Sequence, residues 1–206
     1  MSATTIVLTL GLMALAYLAG SVPFSYLVAR ANGVDLQRVG SGNVGGANVW
    51  RNCGFKPFVV AVVGDVLKGM LPTLTAMHVA HLPPGEVMLV GMAAILGHTF
   101  SIFLDFKGGK AVATSTGVLL ALFPPLIPFG LVAWLAAFLI TRTSSVGSLT
   151  AAAVELILGT TFYLLGWLPL AYAVFIWLTG AFIVYLHRTN IRRLRAGTEN
   201  RFNRLF

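Results

Sequence analysis

The sequence predicts an all-α fold: a polytopic membrane helical bundle of seven transmembrane helices, with residues 1–206 forming a single integral-membrane domain. Of the 206 residues, 57% are hydrophobic and only 10% are charged, whereas a typical soluble domain has roughly 25% charged residues. The mean hydropathy is +0.87, and several apolar stretches reach the ~20 residues that a helix needs to cross ~30 Å of hydrocarbon. Because these stretches are continuous and not alternating, they do not suit a transmembrane β-barrel.

The apolar segments divide into seven predicted spans, of which the fourth and fifth are separated only by prolines. Residues 111–141 alone would suit one long helix, but Pro124, Pro125 and Pro128 interrupt it. Since proline removes a backbone donor and clashes with the preceding turn, this stretch is predicted to form two short spans. The first segment lacks the basic start of a secretory signal and is expected to be a retained span. The predicted spans are residues 3–29, 57–80, 86–104, 111–124, 125–141, 147–165 and 167–186.

The basic residues predict the orientation. With seven spans, all the Lys and Arg residues outside the spans fall on one side, whereas with six spans the arginines of the tail would move to the side opposite Arg30 and Lys107. Because positive residues favour the cytoplasmic side, we expect the N-terminus outside and the C-terminus in the cytoplasm. The residues that carry this argument are Arg30, Arg38, Arg51, Lys56, Lys107, Lys110, Arg142, Arg188, Arg192, Arg193, Arg195, Arg201 and Arg204.

The first predicted cytoplasmic loop contains the glycine-rich run GSGNVGGANVWR, residues 40–51. Glycine lets a backbone approach a ligand closely, and successive N–H groups in such a turn can form an anion-binding nest. Ser41, Asn43 and Asn48 add side-chain donors, and Arg51 can hold a phosphate with two hydrogen bonds. A flexible loop is the alternative. The run is not a P-loop, because it lacks the pattern GxxxxGK[ST].

The second predicted cytoplasmic loop places two lysines around a Gly-Gly pair, directly before a predicted helix. It lies in the segment GHTFSIFLDFKGGKAVAT, residues 97–114. The N-terminus of a helix offers unpaired N–H groups and partial positive charge, which favour an anion, and Lys110 is placed to add a full charge. His98 lies at the inner end of the third span, where it is either a catalytic group or a hydrogen-bonded structural side chain.

Polar residues also meet the cytoplasmic boundary at residues 143–148 (TSSVGS) and 187–194 (HRTNIRRL). Hydroxyls, an imidazole, an amide and arginines are grouped there. A helix cap explains Ser145 or Ser148 equally well. Each of these signals is weak alone, but together they predict that the loops on one face of the membrane bind phosphate.

Two charged features fall in the interior of predicted spans: the Asp65–Lys68 pair in the second span and Glu155 in the sixth. Asp65 and Lys68 would each cost roughly 2.5–3.5 kcal/mol at mid-bilayer if unpaired, but their i, i+3 spacing lets them pair on one helix face. The pair is either a tie between helices or part of a substrate site. Glu155 has no local partner and should face the bundle interior. The single cysteine, Cys53, excludes an intrachain disulfide and is expected to be a small packing residue.

Five segments resemble the successive motifs of bacterial acyl-phosphate–glycerol-3-phosphate acyltransferases. Between residues 40 and 199, and in the family's order, they are GSGNVGGANVWR, GDVLKG, GHTFSIFLDFKGGKAVAT, TSSVGS and HRTNIRRLRAGTE. The first and third are long and specific. The chain departs from the family's usual pattern at Val44, Gly46, Ala47 and Ser101, and none of these differences removes a charged group.

The resemblance implies an enzyme that moves a fatty acyl group from acyl phosphate to the sn-1 hydroxyl of glycerol 3-phosphate. The products would be lysophosphatidate and phosphate, in the first step of phospholipid synthesis. It implies no cofactor and no metal. The partners would be the two substrates and membrane lipid, with a functional link to the enzyme that makes acyl phosphate and no nucleic acid. The location would be the bacterial cytoplasmic (inner) membrane, with the active site facing the cytoplasm.

The resemblance also assigns roles to individual residues. The catalytic residues it implies are Lys110, Arg51, Ser41, His187 and Asn190. The residues it implies for binding substrate or phosphate are Asn43, Gly45, Asn48, Lys107, Gly108, Gly109, Ser145, Ser148, Arg193 and His98.

Two other functions compete with this one. A transporter or channel for an organic phosphate would need polar residues on both faces, and the outer turns hold only His78, His81 and Glu86 near the second and third spans. A CDP-alcohol phosphotransferase needs clustered aspartates that hold a divalent metal, whereas the aspartates here are far apart in the sequence. The H-x4-D pair of the other large class of glycerophosphate acyltransferases is absent.

Overall fold

The computed structural model describes residues 2–202, and its regular structure within that range is entirely helical. A five-residue π-helical turn, Thr75–Val79, extends the fourth helix, and 3-10 turns occupy Ile102–Leu104 and Pro124–Leu126. This confirms the predicted all-α class. The α-helices of the described residues are α1 Ala3–Ser21, α2 Phe24–Ala31, α3 Gly46–Cys53, α4 Phe55–Leu74, α5 Pro84–Thr99, α6 Val112–Leu122, α7 Ile127–Thr141, α8 Ser144–Leu164, α9 Leu170–Leu186 and α10 Arg188–Arg195.

The long apolar helices confirm a polytopic membrane protein. Five segments of residues 2–202 are long and apolar enough to cross a membrane. Helices α9 and α10, which are bent by 54° at His187, form a sixth candidate span if they are counted together. Helix α6 has 11 residues and is therefore roughly 17 Å long, which is shorter than the ~30 Å hydrocarbon core. The seven-span topology and the orientation of the termini therefore stay predictions. Arg204, one of the basic residues that predict this orientation, lies outside the described residues. Within residues 2–202, the five segments long enough to cross a membrane are Ala3–Ala31, Phe55–Val79, Pro84–Leu104, Pro124–Thr141 and Ser144–Leu164.

The first predicted span is not one continuous helix. It is interrupted between α1 and α2 at Val22 and Pro23, because proline lacks the N–H that would continue the hydrogen-bond ladder. The break leaves backbone carbonyls for other partners. The Ser101 hydroxyl donates to the carbonyl of Ser21 at 2.6 Å, and the Lys68 ammonium donates to the carbonyl of Val22 at 2.7 Å.

The chain divides into two compact units, residues 1–122 and residues 123–206, and the single domain expected from the sequence stays a prediction. In the first unit, α1 packs on α5 and α4 packs on α6. Small residues allow these close approaches. A Cβ atom at Gly97 would overlap the carbonyl oxygen of Tyr17, and one at Gly117 would overlap that of Val66.

In the second unit, α8 packs between α7 and α9. Phe138 of α7 is 1% exposed. Its ring stacks on Trp134 with a centroid distance of 4.8 Å and meets the ring of Phe202 edge-on at 5.2 Å. The backbone N–H of Phe202 donates to the carbonyl of Arg142 at 2.9 Å. The segment after α10 therefore folds back onto the end of α7.

The close approach of α4 and α6 gives a test of the packing. We expect Gly117→Ala to destabilise the protein by about 1–3 kcal/mol, because the added methyl group overlaps the backbone of α4 and overpacking a tight contact has that typical cost. The matched control is Gly11→Ala in α1, where an added Cβ atom would meet no atom of another element within 4 Å. Apparent melting temperatures in detergent should fall for the first variant only, and equal values for both would contradict the packing described.

Candidate functional site

The glycine loop (residues 40–45) is folded around the side chain of Asn48, the third residue of α3. Asn48 is 1% exposed, and its Nδ2 donates to the carbonyls of Leu36, Val39 and Asn43 at 3.1, 3.1 and 3.0 Å. Its Oδ1 accepts from the backbone N–H of Ser41 at 3.4 Å. In this structure Asn48 shapes the loop, and its predicted contact with phosphate stays a prediction.

The other predicted residues of this region lie around the same loop. Ser41 is half-buried, and its hydroxyl accepts from the backbone N–H of Asn43 at 3.4 Å. Arg51 is half-buried on α3. The neighbouring Trp50 stacks on Phe58 of α4 with a centroid distance of 4.7 Å, which anchors α3 to α4. The loop thus has a defined conformation in this structure, with its backbone bonded to the Asn48 side chain and α3 packed on α4.

The lysine loop (residues 105–111) is hydrogen-bonded to the end of α5. Gly108 donates to the carbonyl of Thr99 at 2.9 Å, and Gly109 donates to the carbonyl of His98 at 3.1 Å. A Cβ atom at Gly109 would overlap the His98 imidazole, so only glycine permits this approach. Lys107 is exposed and Lys110 is half-buried, immediately before α6, as the sequence predicted.

The backbone of the lysine loop is strained at residues other than glycine. Asp105, Phe106 and Ala111 have φ angles of 49°, 61° and 64°. The left-handed conformation costs roughly 1–2 kcal/mol for a residue with a Cβ atom, although Asp tolerates it better than most. Such strain persists only where the surrounding structure holds it. Ala111 is fully buried, so the loop is supported along its inner side.

A buried polar cluster lies below the lysine loop in the same unit. Asp65 and Lys68 pair with each other at 2.7 Å between Oδ1 and Nζ, and their side chains are each 3% exposed. This confirms the pairing predicted from their spacing. The Ser25 hydroxyl donates to Asp65 Oδ2 at 2.7 Å. His98 Nδ1 lies 3.7 Å from Asp65 Oδ1, so this histidine faces the carboxylate.

In the second unit, the predicted polar residues converge on one carboxylate, that of Glu199. Ser145 and Asn190 both donate to its Oε1, at 2.9 and 2.5 Å, and Arg193 Nε donates to its Oε2 at 2.7 Å. The Glu199 side chain is 6% exposed. The structure therefore brings together one predicted catalytic residue, Asn190, and two predicted substrate-binding residues, Ser145 and Arg193, around Glu199, for which the sequence predicts no role.

The hydrogen bonds determine the ionisation of Glu199. Burial alone would raise its pKa, but the hydrogen bonds from Arg193, Asn190 and Ser145 and the charge of Arg193 hold the pKa below its usual value. The group is therefore a carboxylate at neutral pH. A fixed negative charge offsets one positive charge of α10.

The remaining predicted residues of the second unit make local contacts. His187, at the bend between α9 and α10, is buried, and its Nδ1 lies 2.8 Å from the carbonyl of Ile183. The Ser148 hydroxyl donates to the carbonyl of Ser144 at 3.0 Å. Within residues 2–202, no group of three or more His, Cys, Asp or Glu side chains is placed to hold a metal ion.

Known proteins resemble this chain over nearly its whole length. The model of the glycerol-3-phosphate acyltransferase family matches residues 10–197. A glycerol-3-phosphate acyltransferase of Roseiflexus sp. (strain RS-1) is 60% identical over 198 residues, which cover 96% of this chain and 97% of the relative. The protein of the same name from Aquifex aeolicus (strain VF5) is 40% identical over 191 residues, covering 93% and 97% of the two chains. The chain belongs to the glycerol-3-phosphate acyltransferase family.

A solved member of the glycerol-3-phosphate acyltransferase family has the same fold. The crystal structure of PlsY (YgiH), an integral membrane glycerol 3-phosphate acyltransferase, in its glycerol 3-phosphate form superposes with a TM-score of 0.86 at 39% identity, covering 95% of this chain and 96% of that one. Its lysophosphatidic acid form gives a TM-score of 0.84 at 38% identity, with 95% of both chains covered. The family resemblance expected from the motifs is thereby confirmed.

Two residues of the polar clusters described above are not indicated as such by the sequence. Glu199 lies in the last motif, where an acidic residue among arginines is the available signal of its contact with Arg193. Ser25 lies in an apolar span, and its partner Asp65 is 40 positions away. Nothing in the local sequence of Ser25 indicates that contact.

Proposed function

We propose that this protein transfers a fatty acyl group from an acyl phosphate to the sn-1 hydroxyl of glycerol 3-phosphate, giving 1-acyl-sn-glycerol 3-phosphate and inorganic phosphate. The observation that carries the proposal is the 39% identical relative solved in a glycerol 3-phosphate form and, in a second structure, a lysophosphatidic acid form. The acyl phosphate donor is supported by the motifs that resemble those of acyl-phosphate-dependent enzymes. An enzyme that makes acyl phosphate must then supply the donor.

The proposed chemistry requires little acid–base assistance. The hydroxyl oxygen of glycerol 3-phosphate attacks the acyl carbonyl carbon, the bond from that carbon to the phosphate oxygen breaks, and the hydroxyl proton passes to a phosphate oxygen of a substrate. Because an acyl phosphate is a mixed anhydride, phosphate is already a good leaving group. Catalysis then depends on holding the two substrates together and on stabilising the charge that develops on the carbonyl and the departing phosphate.

We propose that the lysine loop binds one of two phosphate groups: the phosphate that leaves the acyl donor, or the phosphate of glycerol 3-phosphate. Lys110 supplies the charge and Lys107 adds a second cation, while Gly108 and Gly109 support the site by attaching the loop to Thr99 and His98. The proposal is supported by the loop's position directly before α6, since a helix N-terminus favours anions. The half-buried setting of Lys110 strengthens its electrostatic effect, because the local dielectric is lower than in water.

The glycine loop and α3 are proposed to bind the second phosphate. Ser41, Asn43, Gly45 and Arg51 provide donors around the start of α3, while Asn48 fixes the shape of the loop. An arginine can hold a phosphate through two parallel hydrogen bonds, which gives Arg51 the main role. The rigid fold of the loop around Asn48 reduces the entropy that binding must overcome.

In the second unit we propose that His187, Asn190 and Arg193 position glycerol 3-phosphate, with Ser145 and Ser148 beside them. Glu199 is proposed to orient Ser145, Asn190 and Arg193, since it already accepts a hydrogen bond from each. A carboxylate that holds three donors fixes their rotamers before the substrate arrives. This preorganisation favours the transition state, because the polar groups need not reorient during the reaction.

The acyl chain of the donor is proposed to lie in an apolar groove of the first unit. The groove has a volume of about 310 Å³ and is lined by Val22, Pro23, Tyr26, Leu27, Phe103 and Leu104. It follows the break between α1 and α2 and the 3-10 turn that precedes the lysine loop. Because Phe103 and Leu104 directly precede the lysine loop, the polar end of the bound donor is proposed to lie at that end of the groove.

We also propose the seven-span topology, with the N-terminus outside and the active site facing the cytoplasm. In a variant without Cys53, single cysteines at Gln37 and Asp105, both exposed, are expected to react with a membrane-impermeant thiol reagent only after the cells are opened. A cysteine at Gly85, in the first turn of α5, is expected to react in intact cells. Labelling of Gln37 and Asp105 from opposite sides would contradict the topology and the proposed site.

The function is tested with the purified protein, palmitoyl phosphate and glycerol 3-phosphate. We expect release of inorganic phosphate together with formation of lysophosphatidate, and unchanged turnover in EDTA. No release, accompanied by entry of labelled glycerol 3-phosphate into sealed vesicles, would favour a transporter. Loss of activity in EDTA would favour a metal-dependent phosphotransferase.

A further inference from the structure

The Asp65–Lys68 pair connects three helices in the interior of the first unit. Both side chains belong to α4, and their Oδ1–Nζ distance is 2.7 Å. The hydroxyl of Ser25 in α2 donates to the other carboxylate oxygen, Asp65 Oδ2, at 2.7 Å. Lys68 Nζ also donates to the carbonyl of Val22, at the break between α1 and α2, at 2.7 Å. The pair therefore fixes α4 against the broken first span.

His98 extends this cluster toward the lysine loop. Its Nδ1 lies 3.7 Å from Asp65 Oδ1, and its side chain is 7% exposed. The far side of the ring lies against Gly109, where a Cβ atom would overlap Nε2 and Cε1. The carbonyl of His98 also accepts from the N–H of Gly109 at 3.1 Å. The imidazole is thus held between a buried carboxylate and the residue next to Lys110.

The lysine loop depends on external support. Phe106 and Ala111 hold left-handed conformations that are unfavourable for residues with a Cβ atom, and such conformations persist only where neighbouring structure imposes them. Gly108 and Gly109 make the hydrogen bonds that attach the loop to Thr99 and His98. A shift of the His98 ring would therefore displace Gly109 and, with it, the neighbouring Lys110.

We infer that Asp65, together with Lys68 and Ser25, is a positioning group that acts through His98 to place the lysine loop. The inference rests on the proposed function and deepens it, because it gives His98 a role in orienting Lys110 in place of direct contact with phosphate. A buried ion pair contributes little net stability compared with apolar residues of similar volume. Its directional bonds, however, fix the orientation of the groups around it.

The test separates positioning from stability. In Asp65→Asn/Lys68→Met both charges are removed together and the side-chain volumes are kept, so no unpaired charge remains buried. We expect an apparent melting temperature close to that of the unaltered protein, but kcat/KM with palmitoyl phosphate and glycerol 3-phosphate lower by about 100-fold, since a misplacement of ~1 Å has an effect of that order. The matched control is Thr73→Val, a buried change on the same helix whose hydroxyl donates to Gly69 at 2.8 Å. It should keep full activity.

A double-mutant cycle with Lys110→Ala gives the readout that a purely structural role would not produce. If the pair acts by placing Lys110, then removing it in the Lys110→Ala background should lower kcat/KM by less than about threefold, because interactions of this kind are not additive. If the loss of kcat/KM in the combined variant equals the product of the two separate losses, the pair does not act through Lys110 and the inference is overturned. An Asp65→Asn/Lys68→Met protein with unaltered kcat/KM would also overturn it.

His98→Gln provides a second variant if the double substitution does not fold. It keeps the polar side chain and removes the ring that separates Asp65 from Gly109. We expect a similar loss of kcat/KM at an unchanged melting temperature, and full activity would overturn the inference. Failure of the proposed function and failure of the positioning role give different results. If the unaltered protein does not turn over acyl phosphate, the proposed function is contradicted. If the unaltered protein and the variants are equally active, only the positioning role is contradicted.

Discussion

Replacing Lys110 by alanine is expected to lower kcat/KM by about 10- to 150-fold while the protein still inserts into the membrane. A hydrogen bond to a charged group contributes roughly 1.5–3 kcal/mol, and each 1.4 kcal/mol of lost transition-state stabilisation is a factor of ten in rate. Lys110 is half-buried next to Gly109, where solvent screens its charge less than at an exposed position. The loss should appear in lysophosphatidate formation measured with saturating and limiting glycerol 3-phosphate.

The matched control for this substitution is Lys56→Ala. Lys56 is exposed in the first turn of α4 and belongs to the same set of basic residues that predicts the orientation. It should retain full turnover, because its charge serves topology and not the substrates. Unaltered kinetics in Lys110→Ala, or an equal loss in Lys56→Ala, would contradict the role assigned to the lysine loop.

Hydropathy and the prolines predict most of the helix positions and the break between α6 and α7 near Pro124, but not the break within the first span. The predicted spans 57–80 and 86–104 agree closely with Phe55–Val79 and Pro84–Leu104. The break at Pro23 was missed, because the stretch of residues 3–29 stays apolar across it. The carbonyls exposed by the break are satisfied by Lys68 and Ser101, which are distant in sequence. A span that appears continuous in composition can therefore be divided by partners that no local pattern reveals.

The site was predictable where its chemistry is local. The spacing of Asp65 and Lys68 within one helix predicts their ion pair, and the two lysines around Gly108-Gly109 predict the loop before α6. Contacts between distant segments were not predictable. His98 beside Asp65, and Glu199 beside Ser145 at a separation of 54 residues, arise from helix packing and from the return of the chain after α10. Close packing of this kind determines which polar groups meet, and periodicity along one helix does not contain that information.

Glu199→Gln is expected to reduce the free energy of unfolding by about 3 kcal/mol at neutral pH and to impair activity as well. The carboxylate accepts hydrogen bonds from Ser145, Asn190 and Arg193, and breaking such a pair leaves the partner charge without compensation. The amide keeps the size of the side chain but replaces one acceptor by a donor that faces other donors. Chemical or thermal unfolding of the purified protein in detergent measures the difference.

The pH dependence of that difference identifies the carboxylate as its cause. Because the folded state lowers the pKa of Glu199 from its ordinary value of 4.5, the ionised group stabilises the protein above that pH, and this contribution is lost as the pH falls through the lowered pKa. The gap between the unaltered protein and Glu199→Gln should therefore be largest near pH 7 and should narrow below about pH 4.5. Glu86→Gln, in the first turn of α5, controls for removing a carboxylate elsewhere. A gap that is constant with pH would mean that the size and packing of the side chain, and not its charge, hold Asn190 and Arg193 in place.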